Sequence, residues 1–292
     1  MRNFGLLMVR NLWVAGAFAG IFGVMALRLP PFAIISSALV ALVALREGWQ
    51  RGALMAVIAG VIVSGGWWWL GSRPGLAFPL VFALWPPLLF MTAALRKSGT
   101  QGPALLVAGG VMLAFVLVMH VVTDDVVAFW HEWLKSAVAS VPGATVKGFE
   151  ENDTIRLMNG FMALFYGLCL MLALLLGRWM QSIVFHPGGF APEFRQLTLP
   201  RWLLPLAVAL IWAGGLWNKM LLADLLMISI LLYFFVGLAV IHGVIAVRGL
   251  SLGWLVPVYL LIIFFPPQGL AGLALLGVVD TFVHFRVQQG RS

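Results

Sequence analysis

Long apolar stretches, most of them followed by a short polar or charged cluster, succeed one another along nearly the whole chain. Candidate stretches cover residues 8–27, 30–45, 52–71, 75–95, 103–122, 155–176, 202–217, 221–247, 252–266 and 269–285. Most approach the ~20 residues an α-helix needs to cross the hydrocarbon core of a bilayer. The runs are continuous rather than alternating, which argues for helices and against barrel strands. The pattern predicts an all-α, polytopic transmembrane helical bundle of about ten spans. Residues 1–292 are expected to form a single integral membrane domain. It would have five N-terminal spans in 1–122, an outer loop in 123–154 and five C-terminal spans in 155–292.

Composition fits this picture. Hydrophobic residues make up 62% of the chain and charged residues 10%, with a mean hydropathy of +1.04. A soluble domain cannot hide that much apolar surface, whereas lipid solvates it. The net charge of +8 would suggest a nucleic-acid partner in a soluble protein. Here the basic residues collect at span ends, so none is expected. Arg2, Arg10, Arg46, Arg51, Arg96, Lys97, Arg178, Arg195, Arg201, Arg248, Arg286 and Arg291 fall on one side, and Arg28, Arg73, Lys135, Lys147, Arg156 and Lys219 on the other. By the positive-inside rule the first side is cytoplasmic. Both termini would then be cytoplasmic, in a bacterial inner membrane. Arg2, Arg10 and the following Ala15-Gly16-Ala17 resemble a signal peptide, but the many later spans predict a retained first helix. Trp67-Trp68-Trp69 marks the outer interface at the end of the third span.

Two loops are substantial. In 123–154, Val126, Trp130, Trp133, Leu134, Ala137 and Val141 recur at helical spacing, with Asp125, Glu132 and Lys135 between them. This predicts an amphipathic helix lying on the outer leaflet or capping the bundle. In the inner loop, about 177–201, Arg178 and Trp179 form an interfacial anchor pair. Pro187-Gly188-Gly189 forces a turn, and Glu193 and Arg195 are candidates for a loop ion pair or partner contact. Gly16 and Gly20 form a small-residue face suited to helix packing or to a membrane protein partner. Pro86 and Pro87, near the middle of the fourth span, predict a kink or break.

Ionisable groups inside a membrane are costly and therefore functional candidates. His242 lies deep on the eighth span below Tyr233, while Asp280 and His284 sit one turn apart at the inner end of the last, beside Arg286. Tyr233, His242, Asp280 and His284 are the candidate substrate-binding residues. Asp280 and His284 are expected to face the interior, with Arg286 turned to the headgroups. His120 and Asp224 lie at outer span ends. With Cys169 the only cysteine, no intrachain disulfide forms, and no metal site or cofactor is expected. Neither a zinc-protease pair, a nucleophile elbow nor a phosphate-binding glycine loop is present, so no catalytic residues are assigned.

Leu176-Gly177-Arg178-Trp179, His186-Pro187-Gly188-Gly189-Phe190, Glu193-Phe194, the run Tyr233 to His242 and the terminal Gly277-Val278-Val279-Asp280 with Phe285-Arg286 together resemble the YybS-like family of predicted bacterial membrane proteins. The resemblance covers roughly residues 170–290. That family looks distantly similar to substrate-binding components of energy-coupling factor transporters, so the resemblance implies a solute-binding or transporter-like role without naming a substrate. The alternatives are a non-catalytic partner or scaffold of envelope machinery and a lipid-processing enzyme. The expected partners are the bilayer, a small-molecule solute and a second membrane protein.

Overall fold

The computed structural model describes residues 2–70, 79–139, 154–283 and 285–286, and those residues are helices joined by short connections. In chain order they are α1 (Arg2–Arg10), α2 (Leu12–Met25), α3 (Pro31–Glu47), α4 (Trp49–Trp69), α5 (Leu80–Ser98), α6 (Gln101–Val122) and α7 (Val126–Val138). There follow α8 (Met158–Phe185), α9 (Phe190–Arg195), α10 (Leu203–Trp217), α11 (Lys219–Val247), α12 (Leu255–Phe264) and α13 (Pro266–Val283). Single 3₁₀ turns at Thr154–Leu157 and Leu252–Trp254 precede α8 and α12. Six helices, α4, α5, α6, α8 with its 3₁₀ turn, α11 and α13, are long and apolar enough to cross a membrane. The pair α1–α2, bent by 110° at Asn11, makes a seventh if counted as one span. This is fewer than the expected ten. The helices α10 and α12 are apolar but short, and α3 has 17 residues.

The α1–α2 bend has a local cause. The Asn11 side-chain oxygen accepts from the backbone N–H groups of Trp13 and Val14, capping a new helix where a continuous one was expected. From there α2 packs on α4 through its glycines. A Cβ at Gly16 would crowd Ile58, and one at Gly20 would crowd Ile62. The small-residue face is therefore packed within the chain, against α4.

Two helices act as axes. Residues 36–45 of α3 are buried on every side by α2, α4, α5 and α8, and Ser36 donates to the Ala19 carbonyl at 2.7 Å. The second axis, α11, contacts α6, α8, α10 and α13. The approach of α11 to α13 is backbone to backbone, because a Cβ at Gly237 would overlap the Leu273 carbonyl and one at Gly277 the Tyr233 carbonyl. Van der Waals contact between small residues is what holds helices together where no hydrophobic drive separates protein from lipid. A single hydrophobic cluster runs through both halves, from Met8 to Ala274.

The fourth span stays helical across its two prolines. Helix α5 passes through Pro86 and Pro87 without a break. Proline 87 has no N–H to give the Ala83 carbonyl, one turn earlier, and the Tyr166 hydroxyl of α8 donates to that carbonyl instead at 2.6 Å. A neighbouring side chain thus supplies a donor that proline withholds, as membrane helices require.

The loop after α6 carries the expected amphipathic helix. Asp125 caps α7 by accepting from Val127 and Ala128, and Val126, Trp130 and Leu134 bury against Ile155, Met119, Met158 and Met220. Residues 140–153 lie outside the described chain.

The proline compensation is testable. Tyr166→Phe should lower the stability of the detergent-solubilised protein by about 1 kcal/mol, because the Ala83 carbonyl then has no donor in an apolar setting. An unchanged thermal midpoint would show that α5 does not depend on the hydroxyl.

Candidate functional site

The buried carboxylates and their partners gather at the two ends of the bundle. At one end, Asp224 in the second turn of α11 is completely buried. One of its oxygens, Oδ2, accepts from Asn159 Nδ2 at 2.6 Å and lies 2.8 Å from His120 Nε2. Trp130 of the capping helix donates its indole N–H to Asn159 Oδ1 at 3.3 Å. The other carboxylate oxygen, Oδ1, is buried without a hydrogen-bond partner and faces Gly160. Helices α6, α7, α8 and α11 are tied together here, and the imidazole and carboxylate together can hold a proton. Sequence reading noted His120 and Asp224 separately but missed Asn159 and Trp130. Only packing reveals that four separate helices meet at this point.

The opposite end carries two charge clusters. Arg178 of α8 binds Glu193 through Nε at 2.9 Å and Nη2 at 2.6 Å, and Gln101 reaches the other Glu193 oxygen at 3.1 Å. Of the three loop-contact candidates, Arg178 and Glu193 form the ion pair and Arg195 stays outside it, with Arg178 turned inward instead of anchoring at the interface. The turn between α8 and α9 was foreseen: Gly188 takes φ +84°, which a side-chain-bearing residue rarely adopts.

Asp280 is buried, as expected, yet both of its oxygens are occupied. Oδ1 accepts from the Phe285 N–H at 3.0 Å and Oδ2 from Arg286. Arg286 also donates to the carbonyls of Arg195 and Leu197. This overturns the expectation that Arg286 turns to the headgroups. The helix ends at Val283, so helical projection no longer governs Arg286, and the chain folds back onto the loop before α10. His284 lies outside the described residues. Tyr233 is enclosed in the core, its hydroxyl without a partner among the described residues. His242 and Asp280 line separate clefts, and Tyr233 lines neither of them.

His242 instead belongs to a different constellation. A cleft of about 460 Å³ opens between α8, α9, α11 and α12, lined by Phe194, Phe234, Leu238, His242, Tyr259 and Arg195 among others. His242 Nδ1 lies 2.8 Å from the Leu238 carbonyl, and Nε2 lies 3.3 Å from the Tyr259 hydroxyl. With Nδ1 donating to the carbonyl, Nε2 is left to accept from Tyr259. The Phe194 ring meets the imidazole edge-on at 5.4 Å. Tyr259 was missed because it sits on a short apolar run with nothing in the sequence to link it to His242, 17 residues away. Among the described residues no group of three or more His, Cys, Asp or Glu side chains could hold a metal ion.

No family model, curated protein or solved structure matches the chain, so the geometry stands without a relative to interpret it.

The Asp280 arrangement yields a clear expectation. Asp280→Asn should cost roughly 3 kcal/mol and reduce the folded protein recovered from membranes, because Arg286 then loses its counter-charge at a mostly buried position. Replacing the pair together, as Asp280→Leu with Arg286→Met, should restore much of that loss. Equal recovery of Asp280→Asn and wild type would show the pair to be dispensable.

Proposed function

We propose that this protein is a solute-binding or transporter-like component of a bacterial inner membrane. The cleft at His242 carries the reading. Its volume lies in the ~300–1,000 Å³ range of small-molecule sites, its walls are aromatic and aliphatic, and its polar groups are few and held in position. The unbroken α5 and the packed surroundings of Tyr233 offer no support for a site at the bundle centre. The site belongs at the side of the bundle, toward the arginine-rich end. Tyr259 is well exposed on the lipid-facing surface, so a solute would enter laterally.

On this reading α3, α10 and α12 complete about ten passes with the longer helices, the shorter ones being embedded among neighbours or tilted. The arginine-rich end faces the cytoplasm, together with both termini. Support comes from contacts that put Arg46, Arg96, Arg178, Arg195 and Arg286 at one end of the bundle. Arg46 lies over the Phe185 ring, Arg96 bonds the Ala44 carbonyl and Arg286 bonds the Arg195 carbonyl.

Orientation can be read by labelling. In a Cys169→Ala background, cysteine at Ser136 of α7 should react with an impermeant maleimide added outside intact cells, and cysteine at His186 should not. The reverse pattern would overturn the orientation.

Occupancy of the cleft can be read by native mass spectrometry. Wild-type protein from membranes should carry a small molecule that Ala191→Trp, which fills the cleft from its rim, has lost at unchanged thermal stability. Identical ligand profiles for the two proteins would count against the proposed function.

A further inference from the structure

Arg195 differs from Arg178 and Arg286, the other half-buried arginines of the arginine-rich end, because no acid neutralises it. Glu193, two residues away, is held by Arg178 and Gln101, and Asp280 is held by Arg286 and the Phe285 N–H. The backbone carbonyl of Arg195 receives Arg286, but its guanidinium makes no hydrogen bond or ion pair among the described residues. A half-buried, unpaired guanidinium at the edge of an apolar region is costly unless something anionic meets it.

Its position says what that would be. Arg195 lines the aromatic cleft at His242, and it also lines two neighbouring clefts of about 530 and 370 Å³ at the end of the bundle. The larger of these adds Arg201, Arg286 and Thr281, with Asp280 its one acidic residue. The smaller adds Arg286 and no acidic residue. Arg195 therefore stands where an apolar, aromatic-walled space meets a cationic one. A neutral apolar solute would use only the first space, and a free anion only the second.

We propose that the cleft binds an anionic amphiphile, with its apolar body against Phe194, Phe234, His242 and Tyr259 and a phosphate head on Arg195. The guanidinium fork matches phosphate oxygens in paired hydrogen bonds that a point charge does not reproduce. The imidazole–phenol pair fixes the wall between body and head, and the lateral opening lets such a ligand enter from the leaflet without leaving lipid. This inference rests on the cleft being a ligand site, as proposed above, and adds the chemistry of the ligand.

The test uses full-length protein in a neutral detergent, with binding titrated by native mass spectrometry. The probes are dodecyl phosphate, dodecyl phosphocholine and inorganic phosphate. Dodecyl phosphate should bind at least about tenfold more tightly than either of the others, since only it offers both a chain and an uncompensated anionic head. Arg195→Gln should erase most of that preference. Arg195→Lys should restore part of it, and Arg51→Gln, which removes a charge from the same end outside the cleft, should leave it intact. If Ala191→Trp abolishes dodecyl phosphate binding while Arg195→Gln does not weaken it, the cleft is a ligand site and the head-group assignment is wrong. If Arg195→Gln weakens binding but Ala191→Trp does not, the anion binds at the surface and the cleft reading fails with it. Inorganic phosphate binding as tightly as dodecyl phosphate would overturn the amphiphile, leaving a site for free anions. Equal losses in Arg195→Gln and Arg51→Gln would reduce the effect to net charge.

Discussion

Polar groups taken out of water must find partners inside the protein, and this constraint organises the structure. The core through the middle of the bundle is almost wholly apolar; Ser36 is satisfied there by the Ala19 carbonyl, whereas the Tyr233 hydroxyl and the Trp85 indole N–H have no partner among the described residues. Charge appears at the two ends, and there it is paired across helices. Asp224 is held by His120 and Asn159 at one end, and Arg178–Glu193 and Arg286–Asp280 close the other. Even the backbone obeys the rule, since Tyr166 serves the carbonyl that Pro87 leaves without a donor.

Helix α11 joins these features. Its second turn supplies Asp224, its middle supplies Gly237 for direct contact with α13, and its last turns supply His242. A helix buried along so much of its length, and pinned at both ends, cannot shift without disturbing the pairs at each end. The cleft, by contrast, is built where α11 meets the peripheral helices α9 and α12, and α12 has no buried residue of its own. A rigid wall faced by a loosely packed element suits ligand entry from the side, because only the weakly held helix has to yield.

The same constraint singles out Arg195. At the arginine-rich end the acids near the cleft are already engaged, so of the three half-buried arginines there Arg195 alone is left without an acid. The apolar walls and that cation share one cleft, and amphiphilic ligand chemistry follows from their adjacency more than from any single residue.

The hydrophobic pattern alone determined that the described residues are helical and that several helices are long and apolar enough to cross a membrane. It also located the amphipathic helix α7, the turn at Pro187-Gly188-Gly189 and the interior position of Asp280, because burial period and turn chemistry are local properties. It did not determine that α5 survives two prolines, since the compensating Tyr166 lies 83 residues away. Nor did it reveal that Arg286 folds inward, that Glu193 chooses Arg178 over Arg195, or that Asn159, Trp130 and Tyr259 complete polar constellations. Those outcomes depend on which helices become neighbours. Neighbours are chosen by glycine-mediated backbone contact and by the pairing of scarce polar groups across the bundle, and only the tertiary structure decides both.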